Sequence, residues 1–319
     1  MNFLLNSIIF LVGLFLVGIS VGSFINVISL RYNPEEKILS KRTIGGRSRC
    51  PYCHKKLRWF ELIPLLSFLR QTGKCRGCGR FLFWQYPLVE FLTGIIFVAV
   101  PLKILNFQFL PTFQSGSRLF VGTISNFQII SKISILTAII WVLVFIVFLL
   151  IAIIDFRHYI IPDQLNLLLA FLGFLLLASN QLTNLPISQS TNSFLGYYGA
   201  LINPFSNSPA GEWANHLFAA FIAMLFFGAI IVFTRGKGMG WGDFKLAGAL
   251  GLIFGWPDVL IAVMLSFVIG SVISVILMLR RKKTMKDPVP FGPFLVIGAT
   301  TVFFFGYQLV NLYFKLFIS

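Results

Sequence analysis

A chain of 319 residues that is 57% hydrophobic, 11% charged and of mean hydropathy +0.87 is no ordinary soluble domain, which carries about a quarter charged residues. Apolar stretches of about 18 or more residues recur, each long enough to cross a bilayer, so the composition predicts an all-α polytopic membrane protein. The net charge of +16 is concentrated: 13 of the 26 Lys and Arg lie between Arg31 and Arg80, and five between Arg280 and Lys286. Clustering of this kind in loops follows the positive-inside rule and argues against nucleic acid as the partner.

The first apolar run spans about 3 to 30. No basic residue precedes it and Arg31 follows it, the reverse of a cleavable signal, so it reads as a retained helix with its N-terminus outside. Gly18, Gly22, Ser23 and Asn26 recur at helical spacing and suggest a packing seam. Next comes a soluble insert over 31–86, expected on the cytoplasmic side. It holds all four cysteines, as Cys50-Pro-Tyr-Cys53 and Cys75-Arg-Gly-Cys78. Two such pairs match a four-thiolate structural zinc site, which a reducing compartment favours over disulfides. His54 is the alternative ligand, better read as a neighbouring surface histidine. An insert this small needs the metal to fold.

A second helix is expected over about 87–105, with Glu90 near its cytoplasmic end and an arginine as its simplest partner. The polar segment 106–132 reads as an external loop. A third helix, about 133–154, returns the chain inside and delivers Asp155. Ile161-Pro162-Asp163 follows, where proline suits a helix start and Asp163 a cap or dipole-favoured place. His158 shares a face with Asp155 if the helix continues. The fourth helix, about 164–178, leads to a loop reaching Glu212 without a single Lys or Arg. Further helices are expected over about 213–233, 244–254, 258–279 and from Pro293 to near Phe317. That makes about eight crossings, both ends outside, and no internal repeat stands out. Arg280 to Lys283 is placed to touch anionic lipid.

The chain is organised around Gly238-Met-Gly240-Trp-Gly242-Asp243-Phe-Lys245-Leu246, which separates two apolar runs. An ionisable group at membrane depth points to a functional site with a partner, and Asp155 is that partner. Two carboxylates at the ends of different helices suggest an aspartyl protease dyad, sharing one proton because close like charges cannot both ionise cheaply. Gly240 and Gly242, lacking Cβ atoms, would let a substrate backbone approach and allow unusual dihedrals where loop meets helix. A plain loop and helix cap is the bland alternative. No Gly-rich dinucleotide fingerprint is present.

These features resemble the type IV prepilin peptidases of the Gly-x-Gly-Asp intramembrane aspartyl protease class. The resemblance covers nearly the whole chain and rests on several motifs in family order. They are Gly22-Ser-Phe-Ile-Asn26-Val27, the paired cysteines, Tyr86-Pro-Leu-Val-Glu90, Asp155 with Ile161-Pro-Asp163, the Gly240–Leu246 stretch, and Pro290-Phe-Gly-Pro293. It implies catalysis by Asp155 and Asp243, zinc on Cys50, Cys53, Cys75 and Cys78, and a multi-pass protein of the bacterial cytoplasmic membrane. It further implies cleavage of basic leaders from prepilin-like precursors at the cytoplasmic interface, followed in many members by S-adenosylmethionine-dependent N-methylation. The donor site falls on no particular residues. Three regions are expected: a first helix at 1–30, the zinc insert at 31–86 and a bundle at 87–319. The rival readings are an intramembrane aspartyl protease with other substrates, and a transporter or assembly protein using its aspartates as ion sites.

Overall fold

The computed structural model describes residues 2–38, 40–104, 132–182, 193–195, 197–203, 209–281 and 287–317. Among these the chain is helical, with two isolated antiparallel bridges, Arg49 with Lys56 and Lys74 with Phe81. The helices are α1 (Asn2–Arg31), α2 (Lys41–Ile44), α3 (Leu66–Arg70), α4 (Gln85–Ile104), α5 (Lys132–His158) and α6 (Asp163–Leu182). They continue as α7 (Tyr197–Ile202), α8 (Pro209–Phe233), α9 (Trp241–Phe254), α10 (Asp258–Leu279) and α11 (Gly292–Phe317). Six of them, α1, α4, α5, α8, α10 and α11, are long and apolar enough to cross a membrane. The fourth and sixth expected crossings correspond to α6, with a shorter apolar stretch over Asp163–Ser179, and to α9, of 14 residues. The protein is an all-α, multi-pass membrane protein.

Helix ends depart from the sequence expectation in informative ways. α5 runs past Asp155 to His158, and Tyr159 closes it at φ 58° by donating its N–H to the Asp155 carbonyl at 2.8 Å, a left-handed termination without glycine. α9 begins at Trp241, so Asp243 lies within the first turn of the helix. The expected external loops fall largely outside the described residues, at 105–131, 183–192 and 204–208, and so does 282–286 of the basic run. Where the second loop is described it contains α7. Trp256 donates its indole N–H to the Ile202 carbonyl at the end of that helix.

The chain divides into compact units at Ile146–Val147, with α5 continuing from one into the other. In the first, α1 packs along α4. A Cβ on Gly18 would lie 2.8 Å from Gly94 Cα, and one on Gly22 2.8 Å from Glu90 Cα. Only glycines allow backbones this close, the small-residue packing that substitutes for a hydrophobic driving force in lipid. The polar residues of the seam join in. Asn26 donates to the Tyr86 carbonyl at 3.0 Å, and Ser23 donates to the Glu90 carboxylate. Glu90 also accepts the Leu65 N–H at 2.8 Å. Its partners are therefore a backbone amide and a hydroxyl where an arginine was expected.

In the second unit, α9 is held by α6 and α8. Gly173 of α6 meets Ile253, Gly248 of α9 meets Met224, and Gly251 meets the Ala219–Ala220 backbone. Buried Leu246, Leu250 and Phe254 fill the space around α9. Phe267 and Phe227 pack on Phe291, just before α11. At the far end of α9, His216 Nδ1 bonds the Leu252 carbonyl at 2.8 Å, and buried Asp258 accepts from Ser193 and the Leu195 N–H. This network fixes one end of α9; the other end carries Asp243.

Candidate functional site

The site in the second unit is built from three segments. Asp155 projects from the last turn of α5 and is buried. The Gly292 N–H, opening α11, donates to its Oδ2 at 2.8 Å. A Cβ on Gly292 would stand 2.7 Å from that same oxygen and 3.2 Å from Ile161 Cδ1. Glycine is required there by close approach, a role the sequence reading did not assign although the Pro290–Pro293 motif contains it. Ile161 also reaches the glycine loop, because a Cβ on Gly242 would lie 3.0 Å from Ile161 Cβ. One isoleucine thus packs against both glycines that flank the carboxylates.

Asp243 sits three residues after Gly240 and accepts its N–H at 3.4 Å through Oδ2. This is the return half of a capping box, in which a carboxylate in the first helical turn caps the residue before the helix. Gly240 has no side chain to complete the reciprocal half. Its φ of −83° and ψ of 152° are open to any residue. The unusual dihedrals expected at Gly240 occur earlier in the loop, at Arg235 and Gly236, with φ of 51° and 73°. The loop's glycines at 240 and 242 therefore serve spacing: a Cβ on Gly240 would be 3.5 Å from the Asp243 carboxylate, and Gly242 admits Ile161. Most important, Ile161 joins Gly242 to Gly292, which lies against the Asp155 carboxylate, so the fold brings together the segments of two carboxylates separated by 88 positions in the sequence.

The start of α6 secures this loop. Lys245 pairs with Asp163 at 2.8 Å, and Asn166 donates to the Gly242 carbonyl at 3.4 Å. Both members of the ion pair are well exposed, 45% for Lys245 and 70% for Asp163, so the pair contributes under about 1 kcal/mol. Asp163 also occupies the first turn of α6, where a carboxylate is favoured by the helix dipole. Sequence reasoning missed Ile161 and Asn166 as partners of the glycine loop, and the pairing of its Lys245 with Asp163. His158 ends the same helix that carries Asp155, three residues on.

A second candidate site lies in the insert of the first unit. The four cysteine sulfurs lie within 4.8 Å of one another, with Cys50 to Cys78 and Cys53 to Cys75 both at 3.9 Å. A tetrahedral zinc with Zn–S bonds of ~2.3 Å needs sulfur–sulfur edges of about 3.8 Å. The donor set fits. Each Cys-x-x-Cys segment forms a knuckle with the same hydrogen-bond pattern. Cys50 N–H donates to Lys55 O and His54 N–H to Cys50 O, both at 3.0 Å; Cys75 N–H to Arg80 O and Gly79 N–H to Cys75 O repeat the pattern at 2.9 and 2.8 Å. His54 and Gly79 occupy matching left-handed positions, φ 55° and 68°, so the insert contains a two-fold local repeat that residue identities hide. His54 is exposed at the turn while the four sulfurs cluster. The backbone N–H groups of Cys78 and Gly77 aimed at Cys75 Sγ lower its thiol to about 7, which favours the thiolate a metal requires.

Residues 16–104 match the family model described as the bacterial peptidase A24 N-terminal domain, and residues 141–275 match that of the type IV leader peptidase family. A protein of Aeromonas hydrophila named prepilin leader peptidase/N-methyltransferase is 30% identical over 94% of this chain and 92% of its own length. Proteins of the same name from Bacillus subtilis and Pseudomonas aeruginosa are 27% and 28% identical, covering 95% and 93% of this chain and 97% and 91% of their own lengths. No solved structure matches the chain.

Proposed function

The chain belongs to the type IV leader peptidase family, and from that premise we propose that it is a membrane aspartic endopeptidase acting on prepilin-like precursors. The observation that carries this reading is that Ile161 packs against both Gly292, beside the Asp155 carboxylate, and Gly242, next to Asp243, while among the described residues the hydrogen-bond donor to each carboxylate is a backbone amide. A cation would fix both carboxylates in the ionised form. Two carboxylates close enough for their charges to interact share one proton between them.

In the proposed reaction the ionised carboxylate takes a proton from water as its oxygen attacks the scissile carbonyl carbon, and the protonated one donates to the carbonyl oxygen. The tetrahedral intermediate then collapses as the C–N bond breaks. The proton gained from water passes to the departing nitrogen, and the diol proton returns to the other carboxylate. Gly240 and Gly242 form the substrate-approach loop, Gly240 leaving space beside Asp243 and Gly242 letting the loop settle against Ile161. Precursors insert beside the bundle with the leader junction at the cytoplasmic face of the bacterial inner membrane, where the active site and the insert both lie. On this reading 1–30, 31–86 and 87–319 are the working regions, lipid surrounds the bundle and nucleic acid has no part.

Cys50, Cys53, Cys75 and Cys78 would hold a zinc ion whose contribution is structural: four thiolates leave no open position for water. The names of the relatives support a second step, N-methylation of the new N-terminus with S-adenosylmethionine as donor. The test is intact-mass analysis of a pilin-like precursor co-expressed with this protein. Loss of the leader supports the peptidase, and an added methyl mass on that product supports the second activity. A panel of precursors that all stay whole would refute both.

A further inference from the structure

The insert carries an apolar face that its own fold leaves uncovered. Residues 62–69 contain no charge. Leu66 and Leu69, one turn apart on α3, are 64% and 71% exposed, and Trp59 and Trp84 are 78% and 80% exposed. The Trp84 ring packs on Phe68 of α3 with centroids 5.7 Å apart, which joins the far end of the insert to this helix. Arg58 and Arg70 bracket the stretch. Across 31–84 there are 13 Lys and Arg against three acids, Glu35, Glu36 and Glu61.

The height of this face is constrained. Trp84 immediately precedes the membrane helix α4, and the Leu65 N–H is bonded to Glu90 at 2.8 Å. Glu90 lies five residues into α4, about 7.5 Å along its axis. The headgroup zone of one leaflet is roughly 5–7 Å thick. The uncharged stretch is therefore held level with the first turns of α4.

We propose that Trp59, Leu62, Leu66, Leu69 and Trp84 form a docking surface by which the insert lies on the membrane, their side chains in the headgroup–acyl boundary and Arg58 and Arg70 on anionic headgroups. Tryptophan and leucine combined with flanking arginine is the chemistry of interfacial binding. An exposed apolar patch of this kind also suits a protein partner. The basic rim favours lipid, because it would repel the basic leader of a precursor. Docking would keep the cysteine cluster from swinging on its two connections to α1 and α4. The inference rests on the multi-pass reading and on no part of the peptidase chemistry.

The full chain, reconstituted in nanodiscs of phosphatidylglycerol and phosphatidylcholine, tests it by photo-crosslinking. p-Benzoylphenylalanine replaces Leu66, Leu69 or, as a control on the exposed face of α4, Leu88. All three are exposed, so the label displaces no packed side chain. Phospholipid adducts from positions 66 and 69, as well as from 88, are the expected result. Adducts from 88 alone would overturn the proposal. So would adducts from 66 and 69 that go only to a co-reconstituted pilin-like precursor, which would make the face a protein-docking site.

Discussion

Glu90 and Asp155 are both buried carboxylates on membrane-spanning helices, within two turns of a helix end, yet their surroundings differ. Glu90 accepts the Leu65 N–H and the Ser23 hydroxyl, and the α1 backbone closes over it at Gly22. Among the described residues Asp155 accepts one N–H, from Gly292, and through Ile161 that glycine adjoins the loop of another carboxylate, Asp243. A carboxylate at membrane depth invites a functional reading, but its partners decide which kind. Donors make a clasp that pins the insert to α4. A second carboxylate makes a place where a proton must be shared, and that is the pair we propose to be catalytic.

The largest effects should come from breaking that pair. Asp155→Asn or Asp243→Asn is expected to lower precursor cleavage by at least about 10³-fold while the chain remains inserted, measured by product mass and membrane fractionation. The zinc site stands next. Wild-type protein should carry about one zinc per chain by elemental analysis, and Cys50→Ser with Cys53→Ser should lose it and leave the insert open to limited proteolysis. A metal-free wild type with a protease-resistant insert would remove the metal from the account.

Gly292→Ala sharpens the comparison from the catalytic side. Its new methyl must displace the Asp155 carboxylate or α11, because the space is 2.7 Å. Misplacement on this scale costs on the order of 10²-fold in rate, so kcat should fall with KM little changed. Glu90→Ala sharpens it from the other side. It leaves the Leu65 N–H without its acceptor and should cost about 1–3 kcal/mol of stability, read as a lower melting temperature, with kcat retained in the folded fraction. Loss of cleavage without loss of stability would move Glu90 out of the clasp class. Asp163→Ala should do least, under about 1 kcal/mol.

Much of this was legible in the sequence because it is written locally. Apolar run length gave the six long spans, the cysteine spacing anticipated the four-sulfur cluster, and Gly18, Gly22, Ser23 and Asn26 on one face anticipated the α1–α4 seam. The rest depends on backbone donors, which leave no mark in residue identity. The Leu65 and Gly292 amides could be any residue's amide, so neither the clasp on Glu90 nor the contact on Asp155 could be read ahead. α7 was missed because it spans only six residues inside a polar stretch. The knuckle repeat was hidden because His54 takes the left-handed position that glycine takes at Gly79.

The central claim is that Asp155 and Asp243 act as one unit, and a double-variant cycle tests it most directly. Cleavage of one precursor is timed with the wild type, Asp155→Asn, Asp243→Asn and the double variant in the same membranes. For a single proton-sharing unit, each single variant loses nearly all activity and the double variant is no worse than either. Retained cleavage by either single variant, or losses that multiply in the double, would contradict the account.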